Sequence, residues 1–271
     1  MDYKDVFEHN GDVIVTGIQN FILSDILECG QCFRWRKLGT ERYSGIAHGR
    51  LLEVYAEDCK FVLKSTTKAE FDGVWRSYFG LDWDYSKLKR IFSADKILAE
   101  AIEFSAGLRV MKQEIWEVLI TFILSQNSNI PRITKMVEAL CENFGKPLEN
   151  GRAFPKPEEL ADVDLAPIRA GYREPYIADA VRRVLEKQLN LEELSTLPTT
   201  ELRKKLLKIH GVGPKVADCV LLYGFGRVES YPMDVWMKRV MQQYPTGFPK
   251  EIENIAGIAQ QFLFNHIRKG R

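Results

Sequence analysis

The stretch Leu206-Leu207-Lys208-Ile209-His210-Gly211-Val212-Gly213-Pro214-Lys215-Val216-Ala217-Asp218-Cys219 decides how this chain is read. It predicts a helix that opens near Thr199 or Thr200 and stops before Gly211, then a second helix starting at Pro214. Glycine suits the position just past a helix, and proline suits the first position of one. The turn between them, His210 to Gly213, holds two glycines. Its backbone N–H groups crowd together and face outward, an arrangement suited to gripping a phosphate without side-chain charge. A Gly-x-Gly alone marks only a connection between two helices, but the whole string is more specific than that.

Outward from the hairpin, other residues carry chemistry. Lys215 lies in the first turn of its helix. In its neutral form a lysine amine is a nucleophile able to form a Schiff base with an electrophilic carbon. Nineteen residues later, Tyr231-Pro232-Met233-Asp234-Val235 offers a carboxylate able to stabilise developing positive charge. The plain alternatives are a solvated lysine and an N-cap for a helix starting at Val235. Upstream, Ser125-Gln126-Asn127-Ser128-Asn129-Ile130-Pro131-Arg132-Ile133 joins a strongly apolar segment to a helix whose buried face is Ile133, Met136, Val137, Leu140 and Phe144. Asn127 or Asn129 could simply cap that helix. Gly171-Tyr172-Arg173, Gly30-Gln31-Cys32-Phe33-Arg34-Trp35 and Ala259-Gln260-Gln261-Phe262-Leu263-Phe264 complete the set.

Together these segments, spread over residues 12 to about 266, resemble the helix-hairpin-helix superfamily of base-excision DNA glycosylases. Gly211-Val212-Gly213-Pro214-Lys215-Val216-Ala217-Asp218-Cys219 is similar to the 8-oxoguanine DNA glycosylase branch. The resemblance implies a bifunctional glycosylase/AP lyase in which Lys215 is the nucleophile and Asp234 completes the site. It implies that His210, Gly211, Val212 and Gly213 hold DNA phosphate. It also implies that Asn127 fills the hole left by a flipped base, that Arg132 and Arg173 read the widowed cytosine, and that Tyr172 wedges into the duplex. The lesion differs from guanine by an N7–H donor and an O8 acceptor, so a backbone carbonyl facing N7 bonds one and repels the other; Gly30 matches the glycine that supplies it. Gln260, with Gln261 beside it as the alternative, matches the reader of the Watson–Crick edge, and Phe264 and Cys219 match the residues that sandwich the base. The bland readings here are core packing for Phe264 and a small hydrophobe for Cys219.

Two rivals stand against this. A glycosylase for alkylated purines would share the fold, but such relatives generally lack the lysine. A non-catalytic DNA-binding hairpin module would need neither Asp234, Gly30 nor the Asn127 loop. Trp236 departs from the pattern, standing where the animal branch has a histidine. No C-x₆-C-x₂-C-x₅-C run follows the hairpin, so no iron–sulfur cluster, other cofactor or catalytic metal is expected. A monovalent or divalent cation bridging the hairpin carbonyls to phosphate is left open.

Composition sets the frame. The 271 residues include 38 Lys or Arg and 37 Asp or Glu, a net charge of +1, with 45% hydrophobic and 11% aromatic residues, which excludes low-complexity disorder. A neutral total argues against a nucleic-acid partner until it is divided along the chain. Residues 201–271 carry 12 Lys or Arg against 6 Asp or Glu, a net of +6, and the remainder carries −5, so the basic third contains the hairpin. Because backbone amides do part of the gripping, salt is expected to weaken DNA binding only modestly. The longest apolar run, residues 115–124, is half of the roughly 20 needed to cross a bilayer. The acidic N-terminus lacks the apolar stretch of a signal peptide. Five scattered cysteines suit a reducing compartment, and Cys29-x-x-Cys32 has no second pair at zinc spacing. A monomer in the bacterial cytoplasm, associated with the nucleoid and bound to double-stranded DNA containing oxidised guanine, is the expectation.

The periodicities predict an α+β protein. Residues 13–15, 43–47, 51–55 and 61–64 read as strands and 21–27 as a short helix, with helices from about 68 onward and a polar loop at 145–157. The division expected is an N-terminal antiparallel sheet domain over residues 1–105 and a helical domain over 106–271. The second contains the helix-hairpin-helix at about 199–223, with the catalytic site where the two meet.

Overall fold

A computed structural model describes residues 1–270. Six strands form one antiparallel sheet: β1 (Asp5–His9), β2 (Asp12–Thr16), β3 (Trp35–Gly39), β4 (Arg42–Ala47), β5 (Arg50–Glu57) and β6 (Lys60–Leu63), in the order β1-β2-β6-β5-β4-β3. Hairpins β1–β2 and β4–β5 follow from two-residue turns with positive φ at both positions, whose twist matches that of the strands they join. Asn10 and Gly11 (φ 51° and 80°) close β1–β2, and His48 and Gly49 (50° and 70°) close β4–β5. Facing rows such as Val13, Leu63 and Val54 line up across three strands and are buried together. Phe61 on β6 packs against Phe21 and Phe79, with centroids 4.5 and 4.9 Å away.

The sequence reading missed β1 and β3. Both strands are largely exposed and polar, so neither shows the alternation of a half-buried strand. Asn10-Gly11 was the signal for β1. The short helix is also tighter than expected, starting at Leu23.

The main helices are α1 (Leu23–Leu27), α2 (Tyr85–Phe92), α3 (Lys96–Phe104), α4 (Ile115–Leu124), α5 (Ile130–Phe144), α6 (Glu174–Leu185), α7 (Thr199–Leu206), α8 (Pro214–Cys219), α9 (Val235–Val240) and α10 (Ala256–Lys269). The chain packs as two compact units that are discontinuous in sequence, unlike the linear division at residue 105 expected above. One comprises Met1–Gly45, Leu52–Lys112 and Val228–Arg271; the other comprises Ile46–Leu51 and Gln113–Arg227.

In the first unit, α10 joins the N-terminal core because its apolar side needs aromatic partners. Phe262 meets Phe92 and Tyr85, and Asn265 donates to Ser105 Oγ at 2.7 Å. Arg109, 0% exposed, uses all five N–H groups: one on Asp2 Oδ2 at 2.6 Å and the others on the carbonyls of Gln19, Asn20, Gly80 and Trp83. Asp2 also caps α2, accepting from the N–H groups of Tyr85 and Ser86 and from the Ser86 hydroxyl.

In the second unit, α4 is buried from Val118 to Leu124, because it is apolar on nearly every face. The segment 145–157, read as a loop, contains a two-residue pair of strands, Pro147–Leu148 with Gly151–Arg152. Arg203 on α7 and Asp218 on α8 form a two-pronged ion pair at 2.7 and 3.1 Å that fixes one hairpin helix against the other.

Candidate active site

The hairpin forms where the sequence predicts it, α7 ending at Leu206 and α8 starting at Pro214. Gly211 has φ +79°, and a Cβ there would lie 2.2 Å from the Tyr176 ring, so the turn closes against α6 only with glycine. The His210 ring meets Tyr176 edge-on at 4.7 Å, and Tyr176 meets Tyr172 at 6.1 Å. Two amides of the turn are committed inward: His210 N–H donates to Asp179 Oδ2 and Val212 N–H to the Ile209 carbonyl. Among the described residues, the N–H groups of Gly211, Gly213 and Lys215 have no such acceptor, and α8 has no side-chain cap. Folding the turn thus engages the His210 and Val212 amides within the protein and leaves those of Gly211 and Gly213 open. Burial opposes the charge of Asp179, but the His210 N–H and the Arg183 and Arg182 guanidiniums hold its carboxyl below the usual carboxylate range.

Lys215 is half-buried. Its Nζ lies 3.2 Å from Ser125 Oγ and 5.0 Å from the centre of the Phe122 ring, so α8 and the end of α4 meet at this amine. In the other unit, Asp234 caps α9: its Oδ1 accepts from the N–H groups of Trp236 at 3.0 Å and Met237 at 2.8 Å. Oδ2 takes no hydrogen bond among the described residues, so the capping alternative is realised on one oxygen while the other stays open. Trp236 carries the Arg239 guanidinium 5.0 Å from its ring centre.

The loop after α4 separates two asparagines that the sequence left undecided. Asn129 is the cap, its Oδ1 accepting from Arg132 N–H at 3.0 Å. Asn127 is exposed and left-handed (φ +43°), a conformation that Asn tolerates better than most residues. Arg132 is exposed, with no side-chain partner among the described residues. Arg173 is 2% exposed, and its guanidinium donates to the carbonyls of Ala170 (3.0 Å), Gln126 and Asn127 (3.3 Å). Tyr172, 52% exposed, lies under that guanidinium at 4.5 Å and donates to the Gln126 carbonyl. Arg173 and Tyr172 thus brace the loop that presents Asn127.

In the first unit, Gly30 has φ +89° and follows the buried Cys29. Gln31 anchors this turn with three hydrogen bonds, donating to the Ile26 and Arg109 carbonyls and accepting from Met111 N–H. The two adjacent glutamines of α10 have different environments. Gln261 is hydrogen-bonded to the Cys29 thiol, which burial pushes up from its ordinary pKa. Gln260 is 2% exposed and its Oε1 has no hydrogen-bond partner, an omission that costs about 1–3 kcal/mol unless a ligand fills it. Phe264 is half-buried, backed by Arg268 at 5.6 Å, while Cys219 in the other unit is 1% exposed. The sequence motifs give Gln31 and Ser125 no role and do not include Arg109 or Arg268; their importance comes from partners distant in the chain.

Comparisons with known proteins place the chain in a family. Residues 13–119 match the 8-oxoguanine DNA glycosylase N-terminal domain, and residues 120–263 match the HhH-GPD superfamily of base excision DNA repair proteins. The N-glycosylase/DNA lyase of Saccharomyces cerevisiae is 32% identical over 266 residues, covering 82% of this chain and 67% of that protein. The structure of Clostridium acetobutylicum 8-oxoguanine glycosylase/lyase bound to double-stranded DNA with cytosine opposite 8-oxoG superposes with a TM-score of 0.93 at 35% identity, covering 100% of this chain and 99% of that one. That of MBOgg1 with a low affinity DNA ligand gives 0.93 at 41% identity, covering 100% of both. No helix is long and apolar enough to cross a membrane among the described residues. With both domain models matched in sequence order and the hairpin, lysine and capping aspartate in place, the chain belongs to the HhH-GPD superfamily of base excision DNA repair proteins, in the branch that carries the 8-oxoguanine DNA glycosylase N-terminal domain.

Proposed function

We propose that this protein excises 8-oxoguanine opposite cytosine from double-stranded DNA and then nicks the strand. The observation that carries this is Lys215, half-buried in the first turn of the hairpin's second helix and held by Ser125 and Phe122. Its Nζ attacks C1′ as the N-glycosidic bond breaks and the base leaves with the bonding pair. The aminal that results opens by breaking the C1′–O4′ bond, O4′ taking up a proton and the nitrogen lone pair forming the C=N bond of the Schiff base. Removal of the C2′ proton then expels the 3′ phosphate by β-elimination. Asp234, with Oδ2 unengaged, stabilises the positive charge that grows on the sugar.

The Gly30 carbonyl accepts from N7–H of the lesion, Gln260 reads the Watson–Crick edge with its unpartnered Oε1, and Phe264 and Cys219 sandwich the ring. The lost or gained hydrogen bond at N7 provides about 1–3 kcal/mol of discrimination against guanine. On the opposite side Asn127 fills the vacated space, Tyr172 wedges, and Arg132 and Arg173 bond the acceptor edge of the orphaned cytosine. For Arg173 this means exchanging carbonyls of the loop for those acceptors. The amides of Gly211, Gly213 and Lys215 hold phosphate, within the setting of His210 and Val212. Such an enzyme works beside the chromosome, in a bacterial cytoplasm, consistent with five free cysteines.

Incubation with a duplex containing 8-oxoguanine opposite cytosine, followed by borohydride, is expected to leave a covalent protein–DNA adduct. Lys215→Gln is expected to leave none. An absent wild-type adduct, or an equal one from the variant, overturns the mechanism.

A further inference from the structure

We propose that Ser125, with Phe122 beneath it, is a positioning residue that aims the Lys215 amine. The inference rests on the function proposed above and adds to it the residue that orients the nucleophile.

The geometry leaves little freedom. Ser125 is buried at the end of α4, and its hydroxyl donates to the Phe122 carbonyl at 2.8 Å. A serine hydroxyl has one proton, so with that proton committed the oxygen has only lone pairs to offer Lys215. The 3.2 Å contact is therefore an N–H donated by lysine to serine. Ser125 cannot be the base that deprotonates the amine through a relay, because the proton it would pass on points into a main-chain carbonyl. What it can do is fix one N–H vector of a tetrahedral nitrogen, which narrows the directions left for the attacking lone pair.

Phe122 supplies the second constraint. Its ring lies 5.0 Å from Nζ and stacks nearly parallel on Tyr223, with centroids 5.3 Å apart and an interplanar angle of 15°. Lysine side chains have four rotatable bonds and lose roughly 2 kcal/mol of rotamer entropy when fixed. Serine and the stacked ring impose that order before substrate arrives, so less of it remains to be lost at the moment of attack.

The test uses the whole protein and measures three quantities under single turnover: excision of 8-oxoguanine, borohydride trapping on a preformed abasic duplex, and Kd for a lesion duplex. Ser125→Ala is expected to slow both chemical steps about 10- to 100-fold while Kd stays within about twofold. Ser125→Thr, which keeps an oxygen at the same place, is expected to recover most of the loss. Phe122→Leu, which keeps the apolar volume but removes the ring, is expected to give a smaller defect of the same kind. An alanine variant that traps at the wild-type rate, or one whose loss appears in Kd or in the unfolding midpoint instead, overturns the role. So does a threonine variant no better than alanine with its unfolding midpoint unchanged; if threonine unfolds the site, the Phe122→Leu split between rate and Kd decides. Absence of a wild-type adduct would instead remove the proposed function itself, so the two failures are distinguishable.

Discussion

Two buried arginines, one in each compact unit, show how the same side chain is used differently. Arg109, 0% exposed, places all five donors, and one of its acceptors is the carboxylate of Asp2. Arg173, 2% exposed, is held only by carbonyl oxygens and the face of Tyr172, with no carboxylate among the described residues. In the first case charge and hydrogen bonding are both satisfied within the protein. In the second the hydrogen bonds are made but the charge is uncancelled, which leaves the guanidinium able to trade carbonyls for the acceptors of a nucleobase or the field of a phosphate backbone. Arg109 is thus a strut for the core, and Arg173 a brace on the loop that carries Asn127.

Substitutions that separate the two uses test the comparison, and the largest effect belongs to the strut. Asp2→Asn leaves a buried guanidinium without its counter-charge and is expected to cost about 3–5 kcal/mol in urea unfolding. The loss should fall on stability, with the excision rate per folded molecule unchanged. A cost under about 1 kcal/mol would show that the pair is replaceable. A pH series sharpens this. Burial opposes ionisation of Asp2, but the Ser86 hydroxyl, the Arg109 guanidinium and the Ser86 and Tyr85 N–H groups hold its carboxyl below the usual range. Its folded value lies below its unfolded one, so its contribution is present in full above the ordinary carboxylate value of about 3.9 and is lost as the pH falls below that. The Asn variant should lose this part of the acid sensitivity.

Arg173→Met is expected to cost less, about 1.5–3 kcal/mol, because two of the three carbonyls it abandons belong to the part-exposed Gln126 and the exposed Asn127 and can be rehydrated. It should also reduce the preference for cytosine over adenine opposite the lesion. An unchanged preference would confine Arg173 to bracing. Arg132→Ala should leave stability within about 0.5 kcal/mol, since the side chain is exposed. Its effect should appear in the opposite-base preference, worth about 1–3 kcal/mol; an unaltered ratio removes it from that role.

The parts of the site written in adjacent residues were legible. Gly211, Gly213 and Pro214 set the hairpin and Lys215 follows directly; Asp234 and the Asn127 loop lie in short, recognisable strings. Strands with alternating burial, such as β2, were legible for the same reason, whereas exposed β1 was not, although Asn10-Gly11 announced its turn. What stayed hidden depends on partners far along the chain. Arg109 and Asp2 are 107 residues apart, and Lys215 and Ser125 are 90 apart. No local propensity distinguishes Arg109 from other arginines, or identifies which of Gln260 and Gln261 keeps a free acceptor.

The sequence by itself determined the class of fold, the hairpin, the lysine and aspartate and their spacing, because turn chemistry and periodicity act over a few residues. The tertiary structure decided that residues 228–271 pack with the sheet, that His210 and Val212 spend their amides within the protein, that Asn129 caps while Asn127 projects, and that Arg173 is held by its loop while Arg132 is not. Those outcomes depend on which side chains meet when helices and strands close around a core, and the direction of a side chain in a packed interior is set by its neighbours in space.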